Sequence, residues 1–212
     1  MSGRFITFEG IEGSGKSSQI TLLADHLRSK HRAVTLTREP GGTPIGDQVR
    51  KILLDPGNKA LDPSAELLLY AASRAQHLKE VIRPALESGS VVLCDRFSDA
   101  TIAYQGYGRG LDLAMIRALD RLVTDGMRPD LTIVLDVEAA VGLARARGRN
   151  DQQGLEAEAR FENEALAFHE RVRQGYLALA REAPDRMKVV DAALFPVRVQ
   201  EAIRELVDGL LR

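Results

Sequence analysis

The sequence predicts an α/β protein: five parallel β-strands in one sheet, with helices on both faces. Three features carry this expectation. Five short apolar runs lack polar–apolar alternation, as strands buried on both sides do. Longer segments between them carry apolar residues at helical spacing. Two of the runs, Val91–Asp95 and Leu131–Asp136, end in a carboxylate, at the strand end where such sheets bind ligands. The chain has 212 residues, 44% hydrophobic and 28% charged, so one core and one domain over 1–212 are expected.

The elements follow in order. Phe5–Phe8 reads as the first strand, and a helix with Ile20, Leu23, Ala24 and Leu27 on one face comes after it. Ala33–Thr37 is the second strand. Ile45, Val49, Ile52 and Leu53 share a helical face, as do Leu67, Leu68, Ala71, Ala75 and Leu78. The latter helix should start at Asp62-Pro63 and end near Pro84. Val91–Asp95 is the third strand, and Asp112 caps a helix carrying Leu113, Ile116, Leu119 and Val123. Leu131–Asp136 is the fourth. A long helix should carry Phe161, Ala165, Phe168, Val172 and Leu179. Lys188–Asp191 is the last strand, and Val199, Ile203, Leu206 and Leu210 mark the closing helix.

Composition excludes some functions. Lys+Arg 29 against Asp+Glu 30 leaves a net charge of −1, so no global basic field holds the chain on nucleic acid. The single cysteine, Cys94, forms no internal disulfide and suits a reducing compartment, with cytoplasm the default. The first nine residues lack the long apolar run of a signal peptide. No stretch of about 18 apolar residues offers a membrane span.

The most informative motif follows the first strand. Gly10-Ile11-Glu12-Gly13-Ser14-Gly15-Lys16-Ser17 satisfies G-x-x-x-x-G-K-S between a strand and a helix. Its glycines allow backbone conformations and close approaches that a Cβ would block. Its N–H groups and the helix N-terminus can then surround phosphate oxygens. Lys16 adds a point charge at the β/γ-phosphates, and Ser17 can ligate Mg²⁺. The expected ATP-binding set is Gly10, Ile11, Glu12, Gly13, Ser14, Gly15, Lys16, Ser17 and Ser18, in a three-layer P-loop NTPase fold.

The loop leaves the reaction open between a kinase and a switch or motor. Asn58-Lys59 is followed by Ala60-Leu61, so the Asn-Lys-x-Asp element of a GTP-reading switch is missing. Arginines after the strands favour a kinase. Arg38-Glu39-Pro40-Gly41-Gly42-Thr43 can hold a second anion, or be a turn with a solvated Arg. In Asp95-Arg96-Phe97, Asp95 suits Mg²⁺ and Arg96 a phosphate, although Asp95 could instead cap the next helix. Tyr70 and Arg74 are four apart on one helix face, as a nucleobase site wants, and equally as a Tyr at the core edge beside a surface Arg. Thr101, Tyr104 and Gln105 offer hydroxyl, phenol and amide groups nearby. Arg145, Arg147 and Arg149 end the helix after the fourth strand. The polar, glycine-bounded Gly148–Gly154 suits a lid over about 145–156, and the arginines equally suit a solvated basic helix end.

Together, the loop Gly10–Ser17, Arg38–Thr43, Glu66–His77, Asp95-Arg96-Phe97 and Tyr104-Gln105-Gly106 resemble the thymidylate (dTMP) kinase family, over about Phe5–Arg149. The resemblance implies phosphoryl transfer from ATP to dTMP, with Mg²⁺, in dTTP synthesis. It implies that Tyr70 stacks on thymine, Arg74 bonds its O4, Thr101 lies near N3 and Gln105 lies beside the base. Tyr104 would crowd the sugar 2′ position, Arg38 and Arg96 would hold the dTMP phosphate, and Glu12 would sit near the 3′-OH and the metal. Ser17 and Asp95 are the expected metal residues. No Arg stands among the variable loop residues, as in the bacterial type, so the catalytic Arg would come from the lid: Arg149 first, Arg147 second. With them, Lys16, Arg96 and Glu12 make up the expected catalytic set. A homodimer built through helices is also implied. The alternatives are another (deoxy)nucleoside monophosphate kinase and a P-loop regulatory ATPase.

Overall fold

Each of the five apolar runs is a strand, and all lie in one parallel sheet. In this computed structural model, residues 3–153 and 160–212 are described, without the side chains of 149–153. The strands are β1 (Arg4–Glu9), β2 (Val34–Arg38), β3 (Val91–Asp95), β4 (Leu131–Asp136) and β5 (Met187–Asp191), ordered β2-β3-β1-β4-β5. The chain leaves β1 toward β2 on one side and leaves β4 toward β5 on the other. The carboxyl end of β1 therefore lies at a topological switch point, where such sheets bind ligands. Register brings the functional strand ends level: Asp95 pairs with Phe8 on one side and with Arg38 on the other.

The helices are α1 (Lys16–Ser29), α2 (Pro44–Leu54), α3 (Pro63–His77), α4 (Arg83–Glu87), α5 (Ser98–Thr101), α6 (Leu113–Thr124), α7 (Ala139–Gln153), α8 (Leu166–Glu182) and α9 (Pro196–Leu210). Two π-helical stretches, Leu78–Ile82 and Ile102–Gly108, link α3 to α4 and extend α5. Capping follows the sequence: Asp62 accepts from the N–H groups of Ser64 and Ala65, and Asp112 from those of Ala114 and Met115. Ile6, Phe8, Leu93 and Ile133 build the larger core with Leu23 and Leu27 of α1 and Val172 of α8. Phe5, Val92 and Cys94, at alternate strand positions, pack with Ile82 and Phe97 in a second cluster.

Three expected boundaries are corrected. Pro84 does not end its helix, which continues as α4 to Glu87. The preceding π turn shifts hydrogen bonding to i→i+5, with Arg83 N–H on the Leu78 carbonyl, and Pro84 then sits in the first turn of α4, where its missing N–H costs little. Phe161 and Ala165 precede α8 instead of lying within it. Phe161 is buried by an edge-to-face contact with Tyr104, at 5.4 Å, so its helical spacing reflects packing into the same core. The helix after β4 runs on to Gln153 instead of ending at Arg149, because one Gly in a helix costs only about 1 kcal/mol. Residues 145–153 of the expected lid are thus helical, and 154–156 lie outside the described residues.

Candidate active site

The loop between β1 and α1 is shaped by backbone that only glycine supplies. Gly13 has φ +69°, and a Cβ there would stand 1.9 Å from the carbonyl oxygen of Gly142 on α7. The side chains of Ile11 and Ser14 are buried, so their N–H groups are what the loop can offer a phosphate. Lys16 is buried, and its Nζ donates to the carbonyls of Gly10 (3.1 Å) and Ile11 (2.9 Å) and to Ser14 Oγ (3.3 Å). Burial and then the charge of Arg96 lower its pKa to about 8, against the pull of Asp95, Glu12 and Glu9. Ser17 Oγ donates to Asp95 Oδ2 at 3.0 Å. A hydroxyl and a carboxylate in contact are hard oxygen donors of the kind Mg²⁺ takes, so Ser17 and Asp95 would be the residues to hold it.

Beyond Asp95 the chain turns sharply: Arg96 has φ +71°, a strained value for a non-glycine residue. The turn aims its guanidinium back over the loop. Nη1 donates to Gly10 O (2.9 Å) and Tyr176 Oη (3.0 Å), and Nη2 to Glu12 Oε1 and Tyr104 Oη, both at 3.0 Å. The same group lies over the Tyr104 ring, 4.8 Å from its centroid. The Tyr104 hydroxyl donates to Glu12 Oε1 at 2.5 Å. Burial would raise the Glu12 pKa, but the contact with His169 and the charges of Arg96 and Lys16 outweigh it and hold the carboxyl at about 2.

A cleft of about 570 Å³ runs from this loop to the far side of Arg96, lined by Lys16, Ser17, Asp95, Tyr70, Arg74 and Gln105 among others. Arg74 is buried, not a surface residue. Its Nε donates to Glu39 Oε2 (2.8 Å), and Nη2 donates to Phe97 O (3.1 Å) and Thr101 Oγ1 (2.8 Å). Nη1, which among the described residues has Asp120 at 3.5 Å, is the part of the fork least engaged. Gln105 donates to Glu66 Oε1 at 2.8 Å, which fixes its amide. Arg38 is half exposed, 3.6 Å from Asp47, at the cleft edge.

A cleft with a triphosphate loop at one end and a pocket of an aromatic, a guanidinium and an amide at the other is built for two ligands meeting near Arg96. The family model of thymidylate kinase matches residues 8–203. The chain belongs to the thymidylate kinase family. It is 59% identical over 203 residues to the thymidylate kinase of Trichlorobacter lovleyi, covering 96% of each chain. It is 62% identical over 188 residues to that of Syntrophotalea carbinolica, covering 89% of this chain and 87% of the relative. The crystal structure of thymidylate kinase from Ehrlichia chaffeensis superposes with a TM-score of 0.77 at 36% identity, over 98% of this chain and 99% of that one.

Within this family fold, the structure brings Glu12, Lys16, Ser17, Ser18, Arg38, Tyr70, Arg74, Asp95, Arg96, Thr101, Tyr104 and Gln105 to one cleft. Of the lid arginines, Arg147 donates through Nη2 to the carbonyl of Glu162, itself a cleft residue, at 3.2 Å. Arg145 turns away to Ala192 O. The side chain of Arg149 lies outside the described residues. Sequence reasoning assigned no role to five buried groups: Glu39 in the cleft wall, and Glu9, Glu66, His169 and Tyr176 behind it. Glu9 closes an apolar strand just as Asp95 and Asp136 do, and that signal could have found it. Glu39 stood inside a motif already singled out. Glu66 receives Gln105, Arg109 and Arg160 and so needed long-range contacts to be seen.

Proposed function

We propose that this chain transfers the γ-phosphoryl group of ATP to the 5′-phosphate of dTMP, giving ADP and dTDP for dTTP synthesis. The carrying observation is the single cleft that joins the Lys16–Ser17–Asp95 group to the Tyr70–Arg74–Gln105 pocket, with Arg96 between them. The loop N–H groups and Lys16 bind the donor's β/γ-phosphates. Arg38 and Arg96 take the acceptor phosphate, Tyr70 stacks on the base, and Nη1 of Arg74, the least engaged part of its fork, meets a base carbonyl. Thr101 and Gln105 complete the base contacts, and Tyr104 fills the space a 2′-hydroxyl would need. The acceptor oxygen is ionised near neutral pH, so the chain needs no strong base. It contributes alignment and charge stabilisation. Mg²⁺ fits the oxygen donors of Ser17 and Asp95 and, when bound, neutralises charge on the phosphates.

Arg149, and after it Arg147, is proposed to reach the transferring group from a lid over about 145–156, in a chain that is otherwise one domain. We further infer a cytoplasmic homodimer. Leu68 on α3 and Leu122 on α6 are 59% and 79% exposed, on helices that pack against each other, and a second copy would cover them. Among the described residues no helix is long and apolar enough to cross a membrane.

The test is ADP formation from ATP with dTMP, dUMP, dCMP, dGMP, thymidine or no acceptor. Turnover should be fastest with dTMP. Acceptor-independent hydrolysis would favour a regulatory ATPase, and a faster second acceptor would favour another kinase of the class.

A further inference from the structure

Helix α8 does more than cover the sheet. His169 and Tyr176 are seven residues apart, so they share one face of the helix, and that face meets the back of the loop. Tyr176 is fully buried. Its hydroxyl accepts from Arg96 Nη1 at 3.0 Å and donates to Glu9 Oε2 at 2.8 Å. Glu9 in turn accepts from the backbone N–H of Phe97 at 2.8 Å. The strained turn at Arg96 is thus held from both sides by one carboxyl group, through Phe97 N–H in front and through Tyr176 behind.

His169 is equally buried, with its ring edge-on to Phe168 at 5.4 Å. Its Nδ1 stands 3.2 Å from Glu12 Oε2. Among the described residues, neither His169 nitrogen nor Glu12 Oε2 has any hydrogen-bond partner. Polar groups that face each other behind the cleft wall are unfavourable unless they serve each other. The imidazole edge faces Glu12 Oε2, and Glu12 Oε1 is left for Arg96 and Tyr104.

We propose that His169 and Tyr176 are positioning residues of the acceptor site, together holding the Glu12–Arg96 pair in the pose that receives the dTMP phosphate. This rests on the dTMP kinase reading above. The donor's phosphates are gripped mainly by loop N–H groups and Lys16, with Arg96 reaching that loop at the Gly10 carbonyl. Loss of either α8 contact should therefore weaken the acceptor and spare the donor.

The experiment compares Tyr176→Phe and His169→Phe with the unsubstituted chain, measuring KM for dTMP and for ATP, kcat and thermal unfolding. Tyr176→Phe removes one oxygen and keeps the ring, so it stays informative even where His169→Phe fails to fold. The expected result is a rise of about tenfold in KM for dTMP, with KM for ATP within twofold. An unmoved KM for dTMP in Tyr176→Phe, or both KM values rising together, would overturn the inference while leaving the kinase reading intact. If the unsubstituted chain shows no dTMP-dependent turnover, both fall.

Discussion

Lys16 shows how one residue's surroundings set its working range. Burial and the neighbouring Arg96 bring its pKa from 10.5 down to about 8, so the free protein loses the ammonium as pH rises through that value. The triphosphate needs the charged form. Above pH 7.5 the γ-phosphate of ATP is fully ionised, so any further change in affinity reflects the protein. The ATP dissociation constant should rise between pH 7.5 and 9.5 by roughly tenfold. A flat profile over that window would show that Lys16 keeps an ordinary ammonium. The same reasoning marks Arg74, whose Nε and Nη2 are committed to Glu39, Phe97 and Thr101. Its rigidity, more than its charge, suits it to read one base carbonyl.

Among the elements, α7 is the most exacting. It carries the candidate lid arginines, and it docks on the phosphate loop through a pair of glycines. A Cβ on Gly13 would meet Gly142 O, and a Cβ on Gly142 would stand 2.6 Å from Glu12 O. Both neighbours are backbone, so neither can swing aside. Gly142→Ala should displace the helix from the loop and lower kcat by about tenfold to a hundredfold, since misplacement near 1 Å has that effect. Wild-type kcat in a folded Gly142→Ala protein would mean the two elements can separate without penalty. Gly142 was invisible in the sequence because it sits in the first turn of a helix, where a lone glycine carries no pattern. The phosphate loop was the opposite case: its defining residues are contiguous, so Gly10–Ser17 could be read directly. The three inner strands were equally plain, because burial on both faces leaves an unbroken apolar run, whereas the edge strands β2 and β5 are only partly buried. Helix ends were less so. A π turn carried one helix past Pro84, and Phe161 kept helical spacing for reasons of tertiary packing. His169 and Tyr176 were hidden because their partners, Glu12 and Arg96, lie more than 70 residues away.

At the scale of the whole molecule, the group with the widest reach is Glu9. It ends the central strand and is wholly buried, tied to the α5 turn through Phe97 N–H and to α8 through Tyr176. Burial and then the charge of Asp99 raise its pKa from 4.5 to about 8, although Arg96 and both hydrogen bonds pull it down. The folded chain therefore holds a proton that the unfolded chain has released between those values. Stability from this group is complete below pH 4.5 and is lost as pH rises toward 8. Glu9→Gln has no proton to lose and keeps the side-chain shape. Chemical unfolding of both proteins at pH 5 and pH 8.5 isolates the effect, because all other titrating groups are shared. The stability of Glu9→Gln relative to the unsubstituted chain should increase between the two pH values, on the order of a few kcal/mol. Parallel pH profiles would mean that Glu9 is ionised in the folded state. The charge of Arg96 would then have outweighed burial, and the strand end beneath the active site would carry a full negative charge.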